Sequence, residues 1–220
     1  MELLEAIQAR HSVRAYSDRI IEPEKKQVLL DKIDAINKES GLHIQLISDE
    51  PKAFDGFMAH YGKFSGVTNY IALIGKKAND LSEKCGYYGE QLVLLAQQLG
   101  LNTCWVAMSY TKVKSAYKID AGEKLVVVIS LGYGSTQGVA HKSKCIEDVS
   151  GSDAAADWFI RGVEAALLAP TAMNQQKFRF EKKDSIVSAC AGTGFYSKVD
   201  LGIAKLHFEI GAGKDNFKWA

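Results

Sequence analysis

Apolar residues recur at helical spacing in several stretches of the chain. Those within residues 3–7 predict a short amphipathic helix at the N-terminus. Pro23 is suited to the first turn of a second helix, which Gly41 is placed to end. Later helices are predicted from Asp80 to Gly100, from Asp157 to Pro170, and onward from Asp200. Glycines at positions 86 and 89 lower the helical stability of the long middle helix, so we expect another backbone or a ring system to lie close to them.

Shorter apolar runs between these helices predict β-strands. Residues 42, 44 and 46 alternate with polar neighbours, which is typical of a half-buried strand, whereas the valine-rich run 125–131 is typical of a strand covered on both faces. Further strands are predicted at 69–75, 103–107, 178–180 and 186–190. The mixture of strands and helices favours an α+β or α/β sandwich. Residues 134–156 have the composition of a long surface connection and mark the best candidate boundary.

Composition narrows the possible functions. The chain has 220 residues, of which 47% are hydrophobic, so it can bury a core as one domain or as two merged halves. Its net charge of +1 provides no field that would attract nucleic acid or an anionic membrane. The N-terminus lacks a secretory signal and no apolar run is long enough to span a bilayer, so we expect a cytoplasmic protein. The four cysteines are scattered, form no zinc-binding pattern and are expected to be reduced.

One short basic run is the first candidate for chemistry. Arg10, Ser12 and Arg14 occupy alternate positions, so two guanidiniums and a hydroxyl can converge on one phosphate through charge-assisted hydrogen bonds. The alternative interpretation is an exposed basic helix end that interacts favourably with the helix dipole. Lys142 and Lys144 form a second basic group, for which a solvated surface cluster is the alternative.

Four motifs resemble those of the FMN-dependent nitroreductase superfamily. The run RHSVRAY at 10–16 is similar to the opening motif of that family, and residues 91–105 are similar to its central helix and the following strand turn. Residues 131–133, followed by HKSK at 141–144, resemble its closing strand and basic pair. The run APTAMNQQ at 169–176 resembles a loop that, in the family, packs against the flavin from a neighbouring subunit. Together these motifs cover most of the chain.

The resemblance implies an α+β fold, a nitroreductase-like α-β-α sandwich with a central, mainly antiparallel sheet, and a non-covalent FMN site. Arg10, Ser12 and the two lysines would hold the phosphate, while residues 105–108 would lie along the isoalloxazine ring. Residues of the late loop would bond to the ribityl chain or the ring edge, and Arg14 would stabilise the reduced flavin electrostatically. No metal is implied. The implied cofactor-binding residues are Arg10, His11, Ser12, Arg14, Trp105, Val106, Ala107, Met108, Lys142, Lys144, Pro170, Thr171, Ala172, Asn174 and Gln176.

Alternatives stay open for several of these side chains. Trp105 is as well explained by a core aromatic on a buried strand as by a residue that shields the ring. Histidines 11, 141 and 207 are better explained as structural residues than as catalytic ones. No acid-base pair is required, because the cofactor would perform the hydride chemistry.

The order of the motifs departs from that of ordinary members of the family. The proline-asparagine loop normally precedes the central helix, whereas here it lies near the C-terminus, as in the subfamily called "putative TM nitroreductase". We interpret this order as the trace of two fused half-copies, residues 1–150 and 151–220, merged into one compact unit. The first half would provide the phosphate-binding and ring-facing motifs, and the second would provide the late loop. This interpretation predicts one FMN per chain, in a monomeric pseudo-dimer or a homodimer.

The resemblance implies an oxidoreductase that passes electrons from NADH or NADPH through FMN to a small acceptor, such as a nitroaromatic or a quinone. Two alternatives stay open. One is a flavin-binding or sensor protein without turnover, and the other is a different reaction of the same fold, such as reductive dehalogenation. We expect a small-molecule substrate, and neither nucleic acid nor a membrane as a partner.

Overall fold

A computed structural model describes residues 1–151 and 156–220. Part of the predicted connection at 134–156 therefore lies outside the described residues. The chain divides into two compact units. Unit 1 consists of Met1–Ala9, Ser82–Gln91 and His141–Ala220, and unit 2 consists of Arg10–Leu81 and Leu92–Ala140. The boundary predicted at residue 150 separates two half-copies of the sequence, which are not the same as these two units. It stays a prediction.

Most helices lie where the hydrophobic pattern predicts them. Helix α2 begins at Pro23, and Gly41 ends it in the left-handed conformation with a φ of 71°. No helix in the described part of the chain is both long and apolar enough to cross a membrane. The described helices are α1 (Leu3–Ala9), α2 (Pro23–Ser40), α3 (Phe57–Tyr61), α4 (Leu81–Gln98), α5 (Ile146–Val149), α6 (Asp157–Leu167) and α7 (Ser197–Ala212).

Each unit contains its own sheet. In unit 2 four strands pair antiparallel in the order β1-β2-β4-β3, and in unit 1 β5 pairs antiparallel with β6, which pairs parallel with β7. The strands are β1 (Gln45–Ile47), β2 (Asn69–Lys76), β3 (Asn102–Val106), β4 (Glu123–Gly132), β5 (Phe178–Lys183), β6 (Ile186–Ala191) and β7 (Lys218–Trp219). Mixed helix and sheet with mainly antiparallel pairing confirms the predicted fold class.

Strands β2 and β4 form the centre of the unit 2 sheet. Every residue of β2 except the last is buried, and so are the last six of β4, as predicted for a strand covered on both faces. The first strand differs from the prediction, because Ile44 and Ile47 are buried while Leu46 is half-buried. The expected alternation through position 46 therefore shifts phase, and β1 begins only at Gln45.

In unit 1, α6 and α7 pack closely because glycines face the neighbouring helix. A Cβ atom at Gly162 would lie 2.7 Å from the Phe208 ring, and one at Gly211 would lie 2.4 Å from the carbonyl oxygen of Arg161. The Phe208 ring stacks on Phe180 at 4.7 Å between centroids and meets Phe159 edge-on at 5.5 Å. These three fully buried rings form the centre of the unit 1 core.

Helices α4 and α7 also meet backbone to backbone in unit 1. A Cβ at Gly86 would lie 2.0 Å from the carbonyl oxygen of Val199, and a Cβ at Gly202 would lie 2.0 Å from that of Glu83. The close approach expected at Gly86 is confirmed, and the neighbour is another backbone. Val199 and Glu83 each precede a contacting glycine by three residues, so the two helices present equivalent positions to each other. Such reciprocity is the pattern of an isologous contact.

Candidate functional site

The basic run predicted to bind phosphate lies at the β3 edge of the unit 2 sheet. Ser12 forms a parallel bridge with Thr103 of β3, and the backbone N–H of Val13 donates to the Thr103 carbonyl at 3.0 Å. Further along the run, the backbone N–H of Tyr16 donates to the Ser65 carbonyl, and the backbone N–H of Ser65 donates to the Arg14 carbonyl. Because Val13 is fully buried in the core, its neighbours project from the opposite side of the segment.

The structure brings Arg10, Ser12 and Arg14 together around one side chain that the sequence did not single out. This is the Cys104 thiol on β3, which is 3% exposed. Burial raises the pKa of the Cys104 thiol, whereas the Arg14 charge, a hydrogen bond with Ser12 and the Arg10 charge lower it. The thiol is therefore neutral at pH 7, and it does not neutralise either guanidinium.

Arg10 is almost completely buried, with 5% of its surface exposed. Its Nε is shielded from solvent and has no hydrogen-bond partner. The alternative of an exposed basic helix end therefore does not describe Arg10. A buried guanidinium N–H without an acceptor is destabilising, and an oxyanion would satisfy both its charge and its hydrogen bond. The observed group thus fits the phosphate of a flavin nucleotide.

Arg14 and His11 differ from Arg10 in their surroundings. Arg14 is exposed, and its guanidinium carbon lies 6.0 Å from the centroid of the Phe64 ring, at the limit of a cation–π contact. His11 is half-buried, and a Cβ on Gly138 would lie 2.8 Å from the His11 Cβ. The close contact at Gly138 indicates that His11 is enclosed by its own unit.

The predicted ring-facing residues at the end of β3 do not all face the same way. Val106 is buried and belongs to the hydrophobic core of unit 2, so only its backbone can border a ligand. Trp105 and Ala107 are half-buried, and Met108 is 66% exposed. Strand β3 ends at Val106, so Ala107 and Met108 lie beyond it. Trp105, Ala107 and Met108 are the side chains accessible enough to border a ring.

The late loop belongs to unit 1 and has an unusual backbone. Met173, Asn174 and Gln176 have φ values of 52°, 53° and 44°, a region that non-glycine residues rarely occupy. Pro170 is buried, Thr171 and Ala172 are half-buried, and Met173 is exposed at the tip. Three such residues in four positions indicate strain that the surrounding contacts must hold, as is common at ligand sites.

The structure brings Lys142 and Lys144 together with this loop through Gln176. The Gln176 side chain accepts from the Lys144 backbone at 2.9 Å and donates to the Lys142 carbonyl at 2.8 Å. The Lys144 ammonium donates to the Gln176 carbonyl at 2.9 Å, and the Asn174 amide donates to the Lys142 carbonyl at 2.8 Å. These polar groups hold the loop in shape, while Lys142 keeps an exposed side chain.

Asp200 is a functional candidate that the sequence did not identify beyond the start of a helix. It is 3% exposed and accepts hydrogen bonds from the Ala172 backbone at 3.0 Å and from the Gln175 amide at 2.7 Å. Burial raises the pKa of its carboxyl to about 6, although both hydrogen bonds act to lower it. Its two loop partners lie 28 and 25 residues away in sequence, so no local pattern reveals them.

Comparison with known proteins settles the family. A family model described as "Putative TM nitroreductase" matches residues 2–212. The chain belongs to this family. The resemblance carried by the four motifs is therefore confirmed. None of the curated proteins matches the chain.

Several solved structures share the fold of this nitroreductase-family chain. A "putative nitroreductase" from Thermotoga maritima MSB8 has a TM-score of 0.68 and 24% identity, over 98% of this chain and 85% of that chain. A "putative NADH dehydrogenase/NAD(P)H nitroreductase" from Bacteroides thetaiotaomicron has a TM-score of 0.54 and 21% identity, over 67% and 95% of the two chains. A "putative nitroreductase" from Desulfovibrio desulfuricans, solved in complex with FMN, has a TM-score of 0.50 and 18% identity, over 68% and 95%.

Proposed function

We propose that this nitroreductase-family protein binds FMN non-covalently and, in the cytoplasm, passes electrons from NADH or NADPH to a small acceptor such as a nitroaromatic or a quinone. The observation that carries the proposal is the buried Arg10 guanidinium, whose Nε has no hydrogen-bond partner. A phosphate would supply both acceptor oxygens and negative charge. The FMN complex of the D. desulfuricans relative supports a flavin as the source of that phosphate.

Local charge would provide the attraction for the phosphate, because the whole chain has a net charge of only +1. In the described part of the chain, neither Arg10 nor Arg14 forms a salt bridge with a carboxylate. The Cys104 thiol beside them is held neutral by burial. Both guanidinium charges are therefore available to an anion, and the Ser12 hydroxyl adds a third donor.

Bound FMN would supply the redox chemistry, in which NAD(P)H, a proton and a quinone are converted to NAD(P)⁺ and a hydroquinone. The chain's own residues would bind and orient the cofactor. Arg14 would place positive charge near the reduced ring, where negative charge accumulates, and so favour the reduced state. The contribution of the 169–176 loop to flavin binding stays a prediction from the family motif.

We further propose one FMN per chain. The basic run that would hold the phosphate, with Arg10, Ser12 and Arg14 at alternate positions, occurs once in the sequence. The reciprocal contact of α4 with α7 supports the interpretation of two fused half-copies. If only the first half-copy retains the phosphate-binding run, two halves provide one site.

The test compares FMN with riboflavin, which lacks the phosphate. Arg10→Met removes the guanidinium and keeps much of its apolar volume. We expect a roughly 30- to 150-fold loss of FMN affinity, since charged hydrogen bonds contribute about 2–3 kcal/mol, and no change in riboflavin affinity. Arg179→Met is the matched control, because Arg179 lies on the surface of unit 1 and pairs with Glu181.

The variant is expected to fold, because it replaces a buried, unpartnered charge with an apolar side chain. An unchanged affinity for FMN in Arg10→Met would overturn the assignment of the phosphate site. If the wild-type protein binds FMN but neither NADH nor NADPH reduces the bound flavin, the result would favour a flavin-binding protein without turnover.

A further inference from the structure

Three side chains of unit 2 that can bind a metal ion meet at one edge of its sheet. His43 lies just before β1, while Asp120 and Glu123 belong to the turn that leads into β4. The His43 Nδ1 is 2.8 Å from Glu123 Oε2 and 4.0 Å from Asp120 Oδ2. One nitrogen of the imidazole and one oxygen of each carboxylate all lie within 4.8 Å of one another. Strand β1 is at the opposite edge of the sheet from β3, which the basic run contacts, so this cluster is separate from the proposed phosphate site.

Hydrogen bonds of the main chain hold the two segments of the cluster in place. The backbone N–H of His43 donates to a β2 carbonyl at 2.8 Å. Across the turn, the backbone N–H of Glu123 donates to the Asp120 carbonyl at 3.0 Å, and that of Asp120 donates to Glu123 Oε2 at 2.8 Å. The Gln45 side chain joins the two segments, because it donates to the Lys118 carbonyl at 2.7 Å and accepts from the Lys118 backbone at 2.9 Å. An ion would therefore find its ligands already close together and would order little additional backbone.

Both carboxyl groups of the cluster are ionised at neutral pH. A hydrogen bond from Lys118 lowers the pKa of Asp120. Burial acts to raise the pKa of Glu123, but hydrogen bonds from His43 and from the Asp120 backbone outweigh it, so that pKa is lowered. Because a carboxylate can only accept, the hydrogen between His43 and Glu123 is on His43 Nδ1. Lys118 pairs with the other oxygen of Asp120, Oδ1, at 3.0 Å, and Oδ2 is the oxygen nearer the imidazole.

The chemistry of these donors favours zinc over magnesium. Imidazole nitrogen and carboxylate oxygen are both common ligands of Zn²⁺, whereas Mg²⁺ selects oxygen ligands alone. Tetrahedral zinc with bonds of about 2.0–2.1 Å places its ligand atoms about 3.3 Å apart. The distances of 2.8 and 4.0 Å lie on either side of that value, so shifts of less than 1 Å are sufficient. Asp120 can make such a shift, since its side chain is 51% exposed.

We infer that His43, Asp120 and Glu123 bind one Zn²⁺ ion, which joins the segment before β1 to the turn before β4. His43 binds through Nδ1, and the neutral ring then carries its hydrogen on Nε2. Three protein ligands leave the fourth position of the zinc to water. Carboxylates alone would attract any cation, and it is the imidazole that makes the site selective for zinc. This inference is independent of the proposed function.

The experiment titrates the intact chain, first stripped of metal, with Zn²⁺ in competition with a chromophoric chelator. We expect one strong zinc site. Asp120→Asn and His43→Gln should each weaken it by about 100-fold, since even groups that only support a metal ligand contribute roughly 10- to 100-fold to affinity. Asp55→Asn and His60→Gln are the matched controls, because both residues are exposed in unit 2, and zinc affinity should not change in either.

Thermal unfolding gives a second measurement that requires no chelator. Zinc at about 100 times its Kd should raise the Tm of wild type and of the two controls by roughly 5–10 °C. The Tm of Asp120→Asn and of His43→Gln should not respond to the same zinc concentration. Because Asp120 is on the surface, its variant is expected to fold even if the His43 variant does not.

The absorption spectrum of the protein with Co²⁺ in place of Zn²⁺ identifies the ligands. We expect no charge-transfer band from a thiolate, because the exposed Cys145 and Cys190 belong to unit 1. A thiolate band, zinc affinity in Asp120→Asn and His43→Gln equal to that of wild type, or Mg²⁺ binding as tight as that of Zn²⁺ would overturn the inference. FMN uptake should be the same in all these variants. A wild-type protein that takes up no FMN, yet binds zinc through His43, would refute the proposed function and not this site.

Discussion

At the scale of single residues, Asp200 is one of the groups that hold the strained loop of unit 1. Its carboxylate accepts from Ala172 and Gln175, which flank Met173 and Asn174 in their left-handed conformations. Apart from these two donors, the carboxyl is shielded from solvent at 3% exposure. A charged carboxylate in such surroundings is unfavourable even with two hydrogen bonds. Burial therefore has the largest effect on the pKa of Asp200 and raises it.

The stability of the protein should consequently depend on pH through Asp200. The folded carboxyl keeps its proton up to a pKa of about 6, whereas the unfolded one loses it near 3.8. Between these values the folded state binds more protons, so the free energy of unfolding falls as the pH rises, by up to roughly 3 kcal/mol. Urea unfolding at pH 4.5 and pH 7 measures most of this change, about 2 kcal/mol.

Asp200→Asn should remove that part of the pH dependence, because the amide does not titrate and its oxygen can still accept from Ala172. Asp184→Asn is the control, since Asp184 is exposed and its left-handed φ of 55° suits asparagine. The same slope between pH 4.5 and pH 7 in wild type and Asp200→Asn would show that Asp200 is not the group responsible.

The residues that the sequence revealed are those whose signal is local. Arg10, Ser12 and Arg14 stand at alternate positions, so their common location could be predicted from spacing and from the family motif. The burial of Arg10 and the central place of Cys104 could not, because they depend on the pairing of Ser12 with Thr103, about 90 residues away. No pattern within the run itself contains that information.

At the scale of elements, the crossing of α4 and α7 brings two helix backbones close together in unit 1. Gly86 and Gly202 allow each helix to approach a carbonyl of the other. An added methyl group would overlap that oxygen, and backbone cannot move aside as a flexible side chain can. This close contact explains why glycine, which is unfavourable inside a helix, occupies both positions.

Gly86→Ala should therefore destabilise the protein by roughly 2–3 kcal/mol, although alanine normally favours a helix by about 1 kcal/mol over glycine. Gly192→Ala is the control, because its Cβ would meet its nearest neighbour at an ordinary distance of 3.4 Å. Thermal unfolding of both variants gives the comparison. A Gly86→Ala protein at least as stable as wild type would show that the helices are not in contact there.

Elements with a long periodic pattern were predicted well, and short ones were not. Helices α2, α4, α6 and α7 have enough apolar repeats to define a face. Helix α3 has only five residues between glycines, and its large apolar side chains face solvent, so its sequence resembles a loop. Strand β7, with two residues, exists only because β6 pairs with it. In such elements tertiary contacts decide the structure.

At the scale of the whole molecule, the sequence revealed the family and the fold class but not the compact units. Unit 1 gathers the N-terminal helix, the first part of α4 and residues 141–220, which composition alone does not connect. The motif order suggested two half-copies, and the reciprocal glycines of α4 and α7 support that interpretation.

The central claim is that the chain holds one reducible FMN. It is tested most directly by the visible spectrum of the purified protein, supplemented with FMN and then treated anaerobically with NADH or NADPH. We expect a yellow protein with one FMN per chain, whose flavin absorbance disappears with the nicotinamide and returns when a quinone is added. A colourless protein that takes up no FMN, or one that binds two per chain, would contradict the account.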